Sequence, residues 1–164
     1  MQTIKPILVF GYGNQSRGDD ALGPLFLEHI YQEIDSSMIE FQTDFQLQIE
    51  HALDLEYRDL ILFVDATEKC NKEFTFEKLT AENDRSYSTH AISPNAVMQV
   101  FLQIKGNPPP PCFLLSIHGI QFELGANLSQ DAEKSLDGAV NFGKLLFERP
   151  DYHSWLKLSQ ELKG

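Results

Sequence analysis

Cysteine is scarce in this sequence, which has only Cys70 and Cys112 among its 164 residues. The two lie far apart and form no C-x-x-C pair. This excludes a zinc site built from thiolates alone and favours a reducing compartment. Apolar runs of membrane-spanning length are also missing, and the first residues are not typical of a signal peptide. We therefore expect a cytoplasmic protein that does not act at a membrane.

Positively charged residues are also scarce in this sequence. The chain carries 13 Lys and Arg residues against 24 Asp and Glu residues, which gives a formal net charge of -11. Nucleic acids and anionic membrane surfaces attract basic proteins, so this balance argues against both as partners. A cationic partner or a bound metal ion is compatible with it. We expect a monomer.

Two common catalytic patterns are incomplete. No G-x-S-x-G sequence occurs, so a serine hydrolase would lack its nucleophile. The loop at 11–14, G-Y-G-N, begins like a dinucleotide-binding fingerprint, but Ser16 stands where that fingerprint needs a glycine. Cys70 is a candidate thiol nucleophile, yet no neighbour in sequence would obviously activate it. A nucleotide-binding enzyme on a Rossmann-like sheet is therefore an alternative and not the leading interpretation.

Apolar patterning predicts alternating strands and helices in the first half of the chain. Continuous apolar runs at 7–10 and 60–64 predict two strands, a further strand is expected at 39–41, and helical patterns fill both intervals between them. A β-α-β-α-β order predicts a right-handed parallel sheet with helices on both faces. We expect one α/β domain over 1–164, a three-layer sandwich around a mostly parallel twisted sheet.

The two helices of the first half have different apolar faces. The face expected for the first helix consists of Leu22, Leu25, Phe26, His29 and Ile30. Asp19 or Asp20 would cap its N-terminus. The second helix is predicted at 47–55, and the residues expected to turn inward are Ile49, Ala52 and Leu53.

The second half is predicted to contain two more strands and three helices. Residues 74–79 alternate between apolar and polar, which indicates an edge strand, and the apolar run at 112–117 indicates a buried one. Ser93-Pro94 signals a helix start, because serine caps helices and proline fits their first position. Ser129 is expected to cap a long helix, which a short terminal helix follows.

Three side chains with metal-binding chemistry are predicted to converge. Asp20 and Asp65 follow the first and third predicted strands, and His90 lies shortly before a helix start. Because the carboxyl ends of parallel strands align along one sheet edge, these residues can meet in one cleft. Carboxylates and imidazole together suit a divalent transition metal. Each residue also has a structural alternative: a helix cap, a strand-end turn and a surface loop position, respectively.

Four further polar residues are weaker candidates. Gln46 and Gln48 follow the second predicted strand, where they could hydrogen-bond a peptide backbone or simply face solvent. His118 and Glu123 follow the last predicted strand, where they could rim the same cleft or serve only the structure. The sequence leaves these alternatives open.

The candidate residues fall in motifs that resemble the hydrogenase maturation endopeptidases, a nickel-dependent family. The motifs are G-x-G-N-x-x-x-x-D-D-x-x-G at 11–23, the strand-ending D-A at 65–66, and T-H-x-x-S-P at 89–94. Together they cover most of the chain in a consistent order. The loop G-N-Q-S-R-G-D-D-A-L-G-P and the segment F-Q-L-Q-I-E-H-A are similar to the subgroup that processes cytoplasmic NAD-linked hydrogenases.

The resemblance implies an activity and a metal. It implies an α/β fold and removal of the C-terminal extension of a [NiFe]-hydrogenase large-subunit precursor after nickel insertion. Asp20, Asp65 and His90 would be both the catalytic residues and the nickel ligands. The family often has glutamate at the position of Asp20, whose arm is shorter, and the adjacent Asp19 is an alternative ligand. The precursor would supply the nickel, as a recognition element with or without a catalytic share. A non-catalytic nickel-sensing chaperone of the precursor would need the same ligands and is a further alternative.

Overall fold

Five strands form one sheet through the middle of the protein. The computed structural model describes residues 3–84 and 91–163. The strands are β1 Ile7–Tyr12, β2 Ile39–Asp44, β3 Leu60–Thr67, β4 Phe74–Lys78 and β5 Cys112–His118. They lie in the order β2-β1-β3-β5-β4, with every neighbouring pair parallel except β4 and β5. The predicted mostly parallel sheet and the predicted edge strand at 74–79 are both confirmed.

Helices pack on the sheet. The α-helices of the described residues are α1 Leu22–Tyr31, α2 Pro94–Lys105, α3 Gln130–Glu148 and α4 Tyr152–Lys163. Two 3₁₀ helices precede α1 and β3, at Gly18–Ala21 and Ile49–Leu55. The side chains of Ser93 and Ser129 cap α2 and α3 as predicted, each accepting a backbone N–H three residues later. None of the helices in these two ranges is long and apolar enough to cross a membrane.

The core has two parts, one on each face of the sheet. On one face, buried β-strand residues such as Val9 and Leu62 pack against α1, α3 and Trp155 of α4. On the other, Phe10 and Phe63 pack against α2 and the second 3₁₀ helix. Successive strand residues point to opposite faces, so the continuous apolar runs of β1 and β3 supply both parts at once.

Two details of the helix predictions are wrong. Ile49 and Leu53 are 59% and 54% exposed, whereas Ala52 is buried as expected. The segment is a 3₁₀ helix, which repeats every three residues, so Ala52 and Leu55 share its inner face.

The predicted start and inner face of α1 also need correction. Its N-cap position is Ala21, with no side-chain cap, so neither Asp19 nor Asp20 caps it. The 3₁₀ helix that leads into α1 provides backbone hydrogen-bond acceptors at this helix start instead. His29 is exposed, and Leu27 takes its place on the buried face.

Candidate active site

The carboxyl ends of β1 and β3 bring a tyrosine and an aspartate side by side. Gly11 of β1 pairs with Val64 of β3, so Tyr12 and Asp65 are the next residues along the two strands. β1 ends at this point, whereas β3 continues along β5 with Asp65 opposite Ser116. Asp65 was predicted to follow the third strand. It lies within β3, because β5 extends the pairing past the end of β1.

The Asp65 carboxyl group lies in a desolvated environment with a second acid nearby. Burial is the main cause that raises the pKa of Asp65 to about 7, and the negative charge of Asp20 raises it further. Hydrogen bonds from the Ala66 N–H and the Tyr12 hydroxyl act in the opposite direction and lower the pKa. The Ala66 N–H donates to Asp65 Oδ1 at 2.8 Å. Burial, with the charge and hydrogen bond of Asp65, also raises the pKa of Tyr12. The structure therefore brings Asp20 and Asp65 within electrostatic range of each other.

Glycines let the turn that carries Asp20 lie directly on the sheet edge. Gly13 has φ +150, and a Cβ there would lie 1.9 Å from the backbone oxygen of Asp20 and 3.5 Å from its carboxyl carbon. A Cβ at Gly23 would lie 2.6 Å from the carbonyl oxygens of both Tyr12 and Val64. Side chains at these positions would push α1 away from β1 and β3. The glycine spacing of the first motif thus fixes Asp20 above the strand ends.

The two adjacent aspartates have different environments. Asp19 is fully buried, and its Oδ2 accepts the N–H groups of Ile120 and Gln121 at 2.7 and 3.0 Å. Ser129 adds its hydroxyl to Oδ2 at 2.7 Å and its N–H to Oδ1 at 2.8 Å. Burial alone would raise the pKa of Asp19, but these hydrogen bonds outweigh it and lower the pKa. Asp19 is an anchor between the first loop and the start of α3.

Asp20 is the member of this pair that is partly exposed. The Asn14 N–H donates to its Oδ2 at 2.6 Å, which orients the carboxylate within the first loop. Of the two alternatives that the sequence left open, Asp20 has the more accessible oxygens, whereas those of Asp19 are occupied.

The third predicted residue, His90, lies outside the described residues. Its downstream flank is described: the Ile92 N–H donates to the Leu47 carbonyl at 3.4 Å, in the loop that follows β2. Among the residues in 3–84 and 91–163, no three His, Cys, Asp or Glu side chains are grouped to hold a metal ion. Neither His118 nor Glu123 therefore completes such a group with Asp20 and Asp65.

The loop after β2 is held by a histidine that the sequence analysis did not single out. His51 is buried, and its Nδ1 accepts the Gln48 N–H at 2.8 Å while its Nε2 lies 3.1 Å from Asp44 Oδ2. An acceptor at Nδ1 places the proton on Nε2, which donates to Asp44. The Asp44 carbonyl in turn accepts the Gly13 N–H at 3.0 Å. This chain of contacts supports the first loop from the side of β2.

Two other candidates are less informative. Cys70 is partly buried, and its thiol donates to the Lys72 carbonyl at 3.2 Å, with no acid–base partner described beside it. The substrate-binding role considered for Gln46 stays a prediction. Tyr12 is the residue that sequence reasoning missed at the site, although its place between the two glycines of the first motif, at a strand end, could have indicated it.

Known structures with similar folds include hydrogenase maturation proteases. Comparisons with protein-family models and with curated proteins find no match. HycI from Thermococcus kodakarensis KOD1, a [NiFe] hydrogenase maturation protease, matches with a TM-score of 0.68 and 18% identity, over 89% of this chain and 94% of that one. The hydrogenase maturating endopeptidase HybD from E. coli matches with a TM-score of 0.66 and 22% identity, over 87% and 92%. A hydrogenase 2 maturation peptidase from Thaumarchaeota archaeon SCGC_AB-539-E09 matches with 0.61 and 19%, over 87% and 96%.

The chain has the fold of the hydrogenase maturation endopeptidases. At identities of 18–22% this likeness concerns the fold, and it distinguishes no subgroup. Within this hydrogenase-protease fold, Asp20 and Asp65 form a pair of carboxyl groups at the edge of the sheet, with Tyr12 beside them. Two neighbouring carboxylates repel each other, and a divalent cation with oxygen ligands would relieve that repulsion. The described residues therefore fit a divalent cation, without selecting nickel among such cations.

Proposed function

We propose that the protein is an endopeptidase that removes the C-terminal extension of a nickel-loaded [NiFe]-hydrogenase large-subunit precursor. The observation that carries this proposal is the carboxyl pair of Asp20 and Asp65, within electrostatic range at the sheet edge of a hydrogenase-protease fold. An endopeptidase without an evident Ser or Cys nucleophile needs another way to activate water, and a metal ion supplies it.

In this proposal, nickel arrives as part of the substrate. Asp20 and Asp65 offer oxygen ligands to the precursor's metal, which polarises the scissile carbonyl and activates water when it is bound there. Tyr12 orients the Asp65 carboxyl group through its hydroxyl. Asn14 orients Asp20 through its backbone N–H. The first of these contacts comes from the last residue of β1, and the second comes from the first loop.

We include His90 as the third ligand, on indirect support. Asp65 lies in β3 with the same alternation as Phe63, which faces α2. Ile92 is tied to Leu47, in the loop after β2. His90 stands two residues before Ile92 in the sequence. Ile92 packs against the core on the face of the sheet to which Asp65 points.

Three further points belong to the proposal. The similarity of the first loop and of F-Q-L-Q-I-E-H-A to the NAD-linked subgroup points to a cytoplasmic hydrogenase as the source of the precursor. The low cysteine content supports a cytoplasmic site of action. We propose that a monomer of one domain, 1–164, is sufficient for cleavage.

The decisive experiment is mass spectrometry of a purified large-subunit precursor before and after incubation with the protein. Loss of the mass of the C-terminal extension is expected with nickel-loaded precursor and wild-type protein. Asp65→Ala should abolish it, because removing a metal ligand commonly costs a large factor in metal affinity. The fold should survive, since the relief of repulsion from Asp20 and of carboxyl burial offsets the loss of the hydrogen bonds from Tyr12 and Ala66.

Asp59→Ala is the matched control, since Asp59 is exposed and lies just before β3, at the opposite end of that strand. It should cleave like wild type. Cleavage by Asp65→Ala at the wild-type rate would contradict the assignment of the site. Binding of the precursor without any mass change would favour the chaperone alternative.

A further inference from the structure

A groove runs along α1 on one face of the sheet, beside the edge strand β2. It has a volume of about 470 Å³, and its lining residues are Gln15, Pro24, Leu27, Glu28, Tyr31, Gln32, Phe41 and Thr43. Its aromatic wall is formed by Tyr31 and Phe41, whose rings meet edge to face at 5.6 Å. Tyr31 is 60% exposed, so a large ring is offered to solvent at this wall.

The groove continues to the turn that carries Asp20. A smaller cavity of about 150 Å³ shares Gln15, Pro24 and Thr43 with it and reaches Gly13. The position of a Cβ on Gly13 is 3.5 Å from the carboxyl carbon of Asp20. The two cavities therefore form one path from the C-terminal end of α1 to Gly13 in the first loop, next to the turn that carries Asp20.

The residues that line the groove indicate which kind of peptide segment it would bind. The groove contains no Lys or Arg, and its one charged residue, Glu28, is exposed and in no described ion pair. The smaller cavity adds Asp44. Apolar rings with acidic residues suit a segment that carries apolar side chains and a basic residue. The net charge of -11 favours the same sign of partner.

We propose that this groove binds the precursor segment on one side of the scissile bond, in an extended conformation, and that an apolar and a basic side chain of that segment provide its recognition. The inference rests on the proposed function. α1 has ten residues and is about 15 Å long. An extended chain covers that length in about four or five residues. The groove thus defines a short recognition sequence that leads toward the turn that carries Asp20.

The test measures binding and cleavage separately. A fluorescein-labelled synthetic peptide that spans the cleavage site is titrated with each variant, and anisotropy gives Kd. Tyr31→Ser should weaken binding about tenfold, since it removes an aromatic contact. Glu28→Lys should weaken it further for a peptide that contains the basic residue, and less for one in which alanine replaces it. In cleavage of nickel-loaded precursor, KM should rise in the same order of variants, and kcat should stay near the wild-type value.

Two exposed positions outside the groove serve as controls, Tyr57→Ser and Glu161→Lys. Both should bind like wild type. Equal Kd values for groove and control variants, or no binding of the peptide to wild type, would overturn the proposal. A wild-type dimer that Tyr31→Ser converts to a monomer would assign the groove to a second copy and would also overturn it. Groove-dependent binding without cleavage of any precursor would leave the docking proposal standing and reject the endopeptidase.

Discussion

At the scale of single residues, neighbouring side chains of the same type have unequal roles. Asp19 and Asp20 are adjacent in sequence, but one is buried with four hydrogen bonds and the other is partly exposed beside Asp65. The peptide geometry of a 3₁₀ helix separates their directions, so one carboxylate points into the protein. A D-D pair in sequence therefore combines a structural anchor with a candidate ligand.

The buried anchor makes a testable prediction about stability. Asp19→Ala should lower the free energy of unfolding by about 1–3 kcal/mol, because it leaves the N–H groups of Ile120, Gln121 and Ser129 without their acceptor. Asp19→Asn should also destabilise the protein, since the asparagine NH₂ group is a donor and would face the N–H and O–H donors whose hydrogen bonds Asp19 accepts. Urea unfolding measures both. Asp137→Ala, at an exposed position of α3, is the control and should change little; an equal loss there would refute the anchor.

At the scale of elements, the close contact of α1 with the sheet depends on Gly23. A Cβ there would meet two backbone carbonyl oxygens at 2.6 Å, and backbone cannot move aside as a side chain can. We expect Gly23→Ala to cost about 1–3 kcal/mol and to reduce precursor cleavage by displacing the Asp20 turn. Thermal unfolding and the cleavage rate measure the two effects.

Gly138→Ala is a matched helical control within α3. Its Cβ would meet the flexible end of Glu73, 2.3 Å away at Oε2, which can rotate into solvent. Alanine should therefore be tolerated or should stabilise by about 0.5–1 kcal/mol. If Gly23→Ala were tolerated equally well, the close approach of α1 would not be a constraint.

Most of the fold was predictable from local patterns, and the errors have local causes. Continuous apolar runs identified the central strands β1 and β3, and Ser93 and Ser129 marked two helix starts, because burial on both faces and capping leave direct signatures. The inner face of 47–55 was missed because its few residues do not distinguish a 3₁₀ from an α-helical period.

The candidate site was predictable only in part. Asp20 and Asp65 follow strands that the pattern makes parallel, so their proximity could be inferred from topology. The burial of Asp19 could not, since its partners Ile120 and Ser129 lie about a hundred residues away and only tertiary contact selects them. The role of His51 was hidden for the same kind of reason: its partner Asp44 depends on the path of the loop after β2.

At the scale of the whole molecule, nickel handling should depend on the complex with the precursor. With His90, the proposed site has three protein ligands, one fewer than a closed four-ligand site, so the free protein should bind nickel weakly. Nickel-loaded precursor should be cleaved and nickel-free precursor should not. Calorimetry of the free protein with nickel and mass spectrometry of both precursors provide the measurements.

Adding nickel to the nickel-free precursor, without the factors that insert it, is the control and should not restore cleavage. Equal processing of the two precursors would remove nickel recognition from the mechanism while leaving the protease activity intact. Tight nickel binding by the free protein would instead indicate a resident metal site.

The Asp19 anchor also has a consequence for the order in which the protein matures on the ribosome. The first loop is synthesised early, but the backbone N–H groups that donate to its Asp19 carboxylate belong to Ile120, Gln121 and Ser129, in the last third of the chain. A nascent chain that ends before Ser129 contains both Asp20 and Asp65 and still lacks the support that sets the turn between them. The proposed site therefore gains its Asp19 support only after the start of α3 has been synthesised, so its assembly is a late step in the making of the chain.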